Sequence, residues 1–359
     1  DWTNNGTFNG NEGTVTLKGF SGNNIISAPN QRLKNLTIDN ESFATISSGS
    51  IELTGALDIV TGNLNTNNSL TLISDASGTA RIDEVPFKCK YTLDMSDSWG
   101  DDWNGGSITV LVNGISIGNF YCKGANSQDN FYISNGSNFQ LQYSSGSFED
   151  ENSYTLKNGA GSTLFSNGPT PTTGTNVFST VSNCSVLNPI TGNITMQRYI
   201  NAGGTSWRFL TSATSGMTLA EFSGDFETSG FTDSDYPNFP TTANPWPSIY
   251  FYNESATGVV GNGFVAATNI TNTVGVGEGL WVWSGDTSTG TQPFSVDTEG
   301  PPNVGNISLP VSYTNTGSPT DDGWSMVGNP YPSSIDWNTG VTRIAVDDAF
   351  YFWYPDLGQ

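Results

Sequence analysis

The sequence predicts an all-β protein in which a short parallel β-solenoid is followed by β-sandwich domains of a jelly-roll-like type. Glycine, a residue of tight turns, occurs 42 times in 359 residues, and aromatic residues, which favour strands, make up 12%. No long stretch has the periodicity of an amphipathic helix. Short apolar–polar–apolar triplets recur at a fixed spacing instead, which is typical of stacked coils. Length alone favours two or three domains.

Residues 1–86 contain a strand repeat. The triplets that share its pattern and begin 21 residues apart (36−15 and 57−36) are Val15–Leu17, Leu36–Ile38 and Leu57–Ile59. A second series, Ile51–Leu53 and Leu70–Leu72, alternates with the first. Each coil of a β-solenoid buries its apolar face only by stacking on the next coil, so this repeat predicts a β-solenoid, truncated at its N-terminus. An ordinary antiparallel sheet with fortuitous spacing is the alternative.

Residues 87–185 interrupt the repeat and predict an inserted β-sandwich. The strand-like runs are Tyr91–Met95, Ser107–Val112, Ile115–Phe120, Phe131–Ile133, Phe139–Tyr143 and Ser153–Leu156. Two of the three cysteines, Cys89 and Cys184, bracket the segment, and in an oxidising compartment we expect them to form a disulfide. Such a bridge would stabilise the segment by about 4 kcal/mol. Cys122 is then free, or buried as a small apolar residue.

Residues 186–359 predict an aromatic-rich β domain, which we expect to be truncated at its C-terminus. Leu280–Trp283 and Trp324–Val327 are among its strand candidates. Trp281 and Trp283 alternate with Val282, so the two indoles should lie on one face of a strand. We expect that face to belong to the core, with Val282 opposite.

The charge balance excludes several classes of partner and reaction. The chain has 33 acidic and 11 basic residues, a formal net charge of −22, and no histidine. A polyanion repels nucleic acid, and no apolar run is long enough to span a membrane, so we expect neither nucleic-acid binding nor membrane insertion. The lack of histidine excludes Ser-His-Asp hydrolysis and ordinary zinc catalysis. Carboxylates alone can catalyse glycoside hydrolysis, but we expect a non-catalytic protein.

The strongest chemical signal is the stretch DMSDSWGDDWNGG at residues 94–106, with four aspartates, an asparagine and three glycines. Carboxylate and amide oxygens on a glycine-rich loop are typical Ca²⁺ ligands, although the spacing is not that of an EF-hand. We expect side-chain ligands from Asp97, Asp101 and Asn104. The second choices are Asp94, Asp102 and Glu151, the last from the acidic run at 148–154. An acidic turn without a metal is the alternative.

Two tryptophans, Trp99 and Trp103, lie between these carboxylates. An aromatic face can stack on a sugar ring, and a bound Ca²⁺ can coordinate sugar hydroxyls, so both indoles are candidates for ligand binding. The alternative is that they are core residues of a small sandwich, which we expect for at least one of them.

The stretch DSWGDDWNGG at 97–106 resembles the DSWGDGWNG modules of secreted Bacteroidota proteins. Asp102 stands where those modules usually have glycine. Further segments resemble parts of that group's large surface proteins: Ser74–Asp83, Gly192–Ile200, Trp207–Leu210 and Gly323–Ser333. The resemblance implies a sandwich inserted between a solenoid and a following domain, in a protein exported by the type IX secretion system.

We therefore expect an extracellular protein of the outer cell surface. The first hypothesis is a non-catalytic adhesin or appendage component, with a calcium-stabilised, lectin-like module that contacts glycans, cell surfaces or further copies of itself. The alternatives are a non-catalytic accessory region of a secreted polysaccharide-degrading enzyme and a self-assembling fibre subunit.

Overall fold

The structure, a computed structural model, describes residues 2–4, 6, 8, 10, 12–19, 23–27, 31–83, 88–183, 189–201, 205–284, 293–309 and 311–352. Strands account for 48% of the described residues. The described part of the chain contains no α-helix and has three 3-10 turns, at Glu149–Glu151, Leu219–Phe222 and Val260–Gly263. The predicted all-β class is confirmed. Within these ranges, no helix is long and apolar enough to cross a membrane.

The chain divides into two compact units. Residues 86–187 form one of them, called here the inserted unit, which begins one residue before the predicted insertion and ends two residues after it. Residues 1–85 and 188–359 together form the other, called here the flanking unit, whereas the sequence predicted a separate domain for each segment.

The flanking unit begins with parallel ladders of short strands. Its first strands are β1 (Trp2–Thr3), β2 (Thr14–Gly19), β3 (Asn23–Ser27), β4 (Gln31–Leu33), β5 (Asn35–Ser48), β6 (Ile51–Leu53), β7 (Ala56–Asn65), β8 (Leu70–Leu72), β9 (Ser74–Asp75), β10 (Gly78–Thr79) and β11 (Arg81–Ile82). Val15 of β2 lies beside Leu36 of β5, and Leu36 lies beside Leu57 of β7, all in parallel register. The 21-residue repeat is thus the register of this ladder, and both leucines are fully buried.

The inserted unit consists of two antiparallel four-stranded sheets. Its strands are β12 (Lys88–Asp97), β13 (Ser107–Val112), β14 (Ile115–Phe120), β15 (Asn126–Ser134), β16 (Asn138–Ser144), β17 (Asn152–Asn158), β18 (Thr163–Asn167) and β19 (Gly174–Val181). One sheet has the order β15-β12-β17-β18 and the other β14-β13-β16-β19. Both contribute to one apolar core, which includes Leu93, Trp103 and Leu141.

The two predicted roles for cysteine have different outcomes. Cys122 is a free, fully buried thiol whose Sγ donates to the carbonyl oxygen of Gly124 at 3.1 Å, so it behaves as a small core residue. Cys89 lies on the inward face of β12. Cys184 lies outside the described residues, so the Cys89–Cys184 disulfide stays a prediction.

After the inserted unit the chain returns to the ladders of the flanking unit. The remaining strands are β20 (Ile190–Thr191), β21 (Ile194–Ile200), β22 (Ser206–Leu210), β23 (Pro240–Thr241), β24 (Asn244–Pro245), β25 (Ile249–Tyr252), β26 (Phe264–Ala266), β27 (Leu280–Ser284) and β28 (Phe294–Gly300). Ile194 of β21 lies beside Leu70 of β8, which lies beside Ile51 of β6. This continuous pairing is why the segments before and after the insertion form one unit.

A second sheet of the flanking unit has the order β22-β27-β25-β26. Its strand β27 supports the prediction that two tryptophans share one face and corrects the prediction that this face belongs to the core. Trp281 and Trp283 share a face, but they are half-buried, whereas Val282 is fully buried. The core therefore lies on the valine side. Trp324–Val327 is not a strand: Val327 makes only an isolated bridge to Glu278.

Candidate metal centre

The predicted metal loop, residues 97–106, begins at the last residue of β12 and leads to β13. Along β12 the inward side chains alternate with outward ones, and Tyr91, Leu93 and Met95 are buried. Asp97 continues this inward series and is only 3% exposed. The strand thus ends with a carboxylate at a position where its earlier residues contribute apolar groups to the core.

The two oxygens of Asp97 have different environments. Oδ1 accepts hydrogen bonds from the backbone N–H groups of Trp99, at 3.0 Å, and Gly100. Oδ2 is buried, and no donor among the described residues reaches it. Because a buried polar atom without a partner costs folding free energy, Oδ2 is a candidate either to accept a hydrogen bond from water or to ligate a cation.

Asn152, the first residue of β17, has a second buried oxygen of this kind. It is fully buried and lies opposite Asp97 in the antiparallel register of β12 and β17. The Tyr143 hydroxyl donates its single hydrogen to Glu149 Oε2 at 2.9 Å, so its oxygen accepts from Asn152 Nδ2 at 3.2 Å. This contact fixes the amide orientation, and Asn152 Oδ1 has no donor among the described residues.

Three carboxylates meet beside this pair. Oxygens of Asp97, Asp101 and Glu151 lie within 4.8 Å of one another. The 3-10 turn Glu149–Glu151 brings Glu151 to the loop, and the Ser98 N–H donates to the Glu151 carbonyl oxygen at 3.1 Å. Asp101 is exposed and Glu151 is half-buried, so the cluster is closed on the Asp97 side and open to solvent on the other.

The electrostatics of the cluster favour a cation. Burial raises the pKa of Glu151, and the negative charges of Asp101 and Asp97 raise it further. Burial also raises the pKa of the Tyr143 hydroxyl, which therefore remains a hydrogen-bond donor to Glu149. Carboxylates this close repel one another until a proton or a metal ion compensates their charge.

The donor set fits a hard divalent cation. Asp97, Asp101, Glu151 and Asn152 offer oxygen atoms only, whereas zinc and copper sites normally contain histidine or cysteine. Ca²⁺ accepts carboxylate and amide oxygens in irregular arrangements, but Mg²⁺ requires a nearly ideal octahedron. These four side chains are the ones that would hold Ca²⁺, which would neutralise the carboxylates and join the two loops.

Asp94, a second-choice ligand, lies elsewhere. It is on the outward face of β12, three residues before Asp97. Its Oδ2 forms an ion pair with Lys157 at 2.6 Å, and its Oδ1 accepts from Gln128. The hydrogen bond from Lys157, followed by that from Gln128, holds the pKa of Asp94 below its usual value. The structure does not bring it to the cluster.

Asp102 and Asn104 lie on the exposed part of the loop. Asp102 accepts a hydrogen bond from the Gly124 N–H, and its φ of 75° is in the left-handed region that glycine favours. Asn104 donates to Asp101 Oδ1 at 3.4 Å, so its amide nitrogen faces the cluster residue. Neither belongs to the group of three carboxylates.

Sequence analysis did not identify Asn152 as a ligand, although it belongs to the acidic run at 148–154. The signal that could have found it is the pairing of β12 with β17, which places Asn152 directly opposite Asp97. Only that register distinguishes it from neighbouring polar residues.

The two tryptophans of the loop have separate roles. Trp103 is 1% exposed, donates from Nε1 to the Ser96 carbonyl oxygen at 2.9 Å, and packs edge-on against Tyr143. It is a core residue, as expected for at least one of the two tryptophans, and its buried ring cannot stack on a ligand, so its candidacy for ligand binding is wrong. Trp99 is 80% exposed.

Comparison with known proteins adds no further assignment: no family model matches the chain, and searches of curated proteins and of solved structures gave no significant match.

Proposed function

We propose that this chain is a non-catalytic component of an extracellular surface protein, an adhesin or appendage component, and that Ca²⁺ stabilises its inserted unit. The observation that carries the proposal is the pair of buried oxygens without donors, Asp97 Oδ2 and Asn152 Oδ1, beside three clustered carboxylates. An acidic surface turn would explain the carboxylates alone. A bound cation would in addition satisfy two buried acceptors that have no donor among the described residues and lie opposite each other in the pairing of β12 with β17.

The architecture supports a mechanical role for the cation. We interpret the parallel ladders as a short β-solenoid and the inserted unit as a jelly-roll-like β-sandwich. Ca²⁺ would fix the loop 97–106 against the turn 149–151, so that metal binding contributes to the free energy of folding. The resemblance of 97–106 to modules of type IX secretion cargo supports an outer-surface location. A Cys89–Cys184 disulfide would suit the same compartment.

Calorimetric titration of the full chain with CaCl₂ tests the metal site directly. We expect one Ca²⁺ per chain and weaker binding of Mg²⁺. Asp97→Asn keeps the side-chain shape but removes a ligand charge, and it should weaken Ca²⁺ binding by at least about 100-fold.

The matched control is Asp150→Asn, which removes an exposed charge next to Glu151 without changing a ligand. It should alter the affinity only slightly. Equal effects of the two substitutions would mean that the loop attracts cations only through its general charge. Absence of Ca²⁺ binding by the unmodified chain would refute the proposal.

A further inference from the structure

We propose that the cation cluster and Trp99 together form a binding site for an uncharged glycan, in which the indole stacks on a sugar ring and Ca²⁺ coordinates two neighbouring hydroxyls. This inference rests on the proposed Ca²⁺ site and names its ligand.

The cluster has an inner and an outer side. Asp97 and Asn152 are buried on the inner side, whereas Asp101 is exposed. Ca²⁺ takes six to eight oxygen ligands, and the four side chains named here all approach from the protein. A Ca²⁺ ion held by these four side chains, each through one oxygen, would leave coordination positions for oxygens from outside the chain. Two adjacent sugar hydroxyls are one ligand of that chemistry.

Trp99 lies between Asp97 and Asp101 on the loop that carries these two carboxylates. Its backbone N–H donates to Asp97 Oδ1 at 3.0 Å, and the preceding residue, Ser98, donates to the Glu151 carbonyl oxygen at 3.1 Å. The backbone at Ser98 and Trp99 is thus held by two of the residues that form the cluster. An indole that is 80% exposed contributes little to the core. Its aromatic face is free to stack on the apolar face of a sugar ring.

The second loop of the cluster presents an aromatic ring in the same way. Phe148 is 63% exposed and immediately precedes the 3-10 turn that carries Glu151. Its carbonyl oxygen accepts the Glu151 N–H at 3.1 Å, and its φ of 58° is in the left-handed region, which is uncommon for a bulky residue. Each loop that supplies a ligand therefore also presents one exposed aromatic side chain.

Charge decides the chemical class of the ligand. Asp102 and Asp150 are exposed carboxylates on the two loops, and the whole chain has a net charge of −22. This field repels anionic ligands, including acidic sugars and anionic lipid headgroups. An uncharged glycan has the required hydroxyls without the repulsion. Insertion of Trp99 and Phe148 into a membrane is the competing interpretation, and the experiment separates the two.

The test measures binding of the full chain to immobilised mannan, to galactan and to phosphatidylserine vesicles, each with excess Ca²⁺ and with chelator. We expect binding to at least one of the two glycans, which the chelator abolishes, and no binding to vesicles. Trp99→Ala should weaken glycan binding by about tenfold or more. It should leave Ca²⁺ affinity unchanged in a direct titration, because its side chain is not a ligand.

Ile115→Ala serves as the control, because Ile115 is 72% exposed and follows the turn at the other end of β13 from the loop. It should change neither glycan nor Ca²⁺ binding. A chain that binds Ca²⁺ but neither glycan overturns this inference and leaves the metal site intact. Glycan binding that survives chelator or Trp99→Ala also overturns it, as does Ca²⁺-dependent binding to vesicles alone. Failure to bind Ca²⁺ removes both proposals.

Discussion

At the scale of single residues, the Asn152 side chain shows how a core amide can be held ready for a metal ion. Tyr143 accepts from its nitrogen and donates to Glu149, so the amide oxygen is directed away from the tyrosine. A buried acceptor left without a donor costs about 1–3 kcal/mol. Asn152 Oδ1 and Asp97 Oδ2 both carry this cost until a cation or a solvent molecule satisfies them.

This relay predicts a specific effect of Tyr143→Phe. Removing the hydroxyl releases the Asn152 amide, which can then rotate and present its nitrogen instead of its oxygen. We expect Ca²⁺ affinity to fall about tenfold, as for other residues that orient a metal ligand. The measurement is calorimetric titration of the full chain.

Tyr154→Phe is the matched control. Tyr154 is as deeply buried as Tyr143, but its hydroxyl accepts from Asn167 Nδ2 at 3.4 Å and touches none of the four ligands by a hydrogen bond. Both variants should lose stability by about 1 kcal/mol, but only Tyr143→Phe should lose Ca²⁺ affinity. Equal affinity losses would show that packing, not amide orientation, determines the site.

Residue identity alone predicts part of this site. Asp97 and Asp101 follow from carboxylate density, and Glu151 from the second acidic run. Asp94 is a wrong second choice in geometric terms, because it precedes Asp97 by three positions, an odd offset that places it on the outward face of the strand. Asn152 depends on cross-strand register, which a single sequence does not specify.

At the scale of elements, the edge of β28 is covered by two carboxylates from the segment after Met217. Glu221 Oε2 accepts from the backbone N–H of Glu299, and Asp225 Oδ2 accepts from that of Asp297, each at 2.7 Å. Burial raises the pKa of Asp225 to about 6, and although the hydrogen bond from Asp297 lowers it, the charge of Asp297 raises it again. Burial also raises the pKa of Glu221.

These shifts predict how stability depends on pH. The folded-state pKa of Asp225 lies above the value of about 4 in an unfolded chain. Its contribution to the free energy of unfolding is therefore fully present below about pH 4 and is lost as the pH rises through about 6. With chelator present, thermal unfolding of the flanking unit should occur at a lower temperature at about pH 7.5 than at about pH 4.5.

Asp225→Asn should reduce this pH dependence, because asparagine keeps an acceptor for the Asp297 N–H and does not ionise. Glu227→Gln, at an exposed neighbouring position, is the control and should leave the dependence unchanged. A pH dependence that is identical in the unmodified chain and in Asp225→Asn would contradict the assignment.

Strand prediction in the inserted unit found two of the four edge strands, β14 and β15, as well as the four central strands. All six predicted runs of the inserted unit lie within strands, but β18 and β19 were missed. Both are edge strands whose side chains are mostly exposed or half-buried, so they lack the apolar alternation that identifies a strand. In β27 the predicted alternation of Trp281, Val282 and Trp283 is confirmed, but the core contacts the valine side of the strand and not the tryptophan side. Trp281 stacks on Trp207 with ring centroids 5.5 Å apart, while the smaller Val282 packs in the core.

At the scale of the whole molecule, the net charge of −22 opposes compaction and makes any compensating cation important. The acidic cluster concentrates that repulsion at one place in the inserted unit. Without Ca²⁺, replacing one of its carboxylates should relieve repulsion. With Ca²⁺, the same replacement should remove stabilisation. The replacement should therefore raise the stability of the inserted unit without Ca²⁺ and lower it with Ca²⁺.

The most direct test is a thermal melt of the full chain and of Asp97→Asn, each with excess Ca²⁺ and with chelator. We expect Ca²⁺ to raise the melting temperature of the inserted unit in the unmodified chain by about 10 °C at saturating concentration. Asp97→Asn should show almost no shift, and in chelator it should melt at the same temperature as the unmodified chain or higher. If Ca²⁺ changes the melting temperature of neither protein, or changes both melting temperatures equally, Asp97 is not a metal ligand and the loop is only an acidic turn.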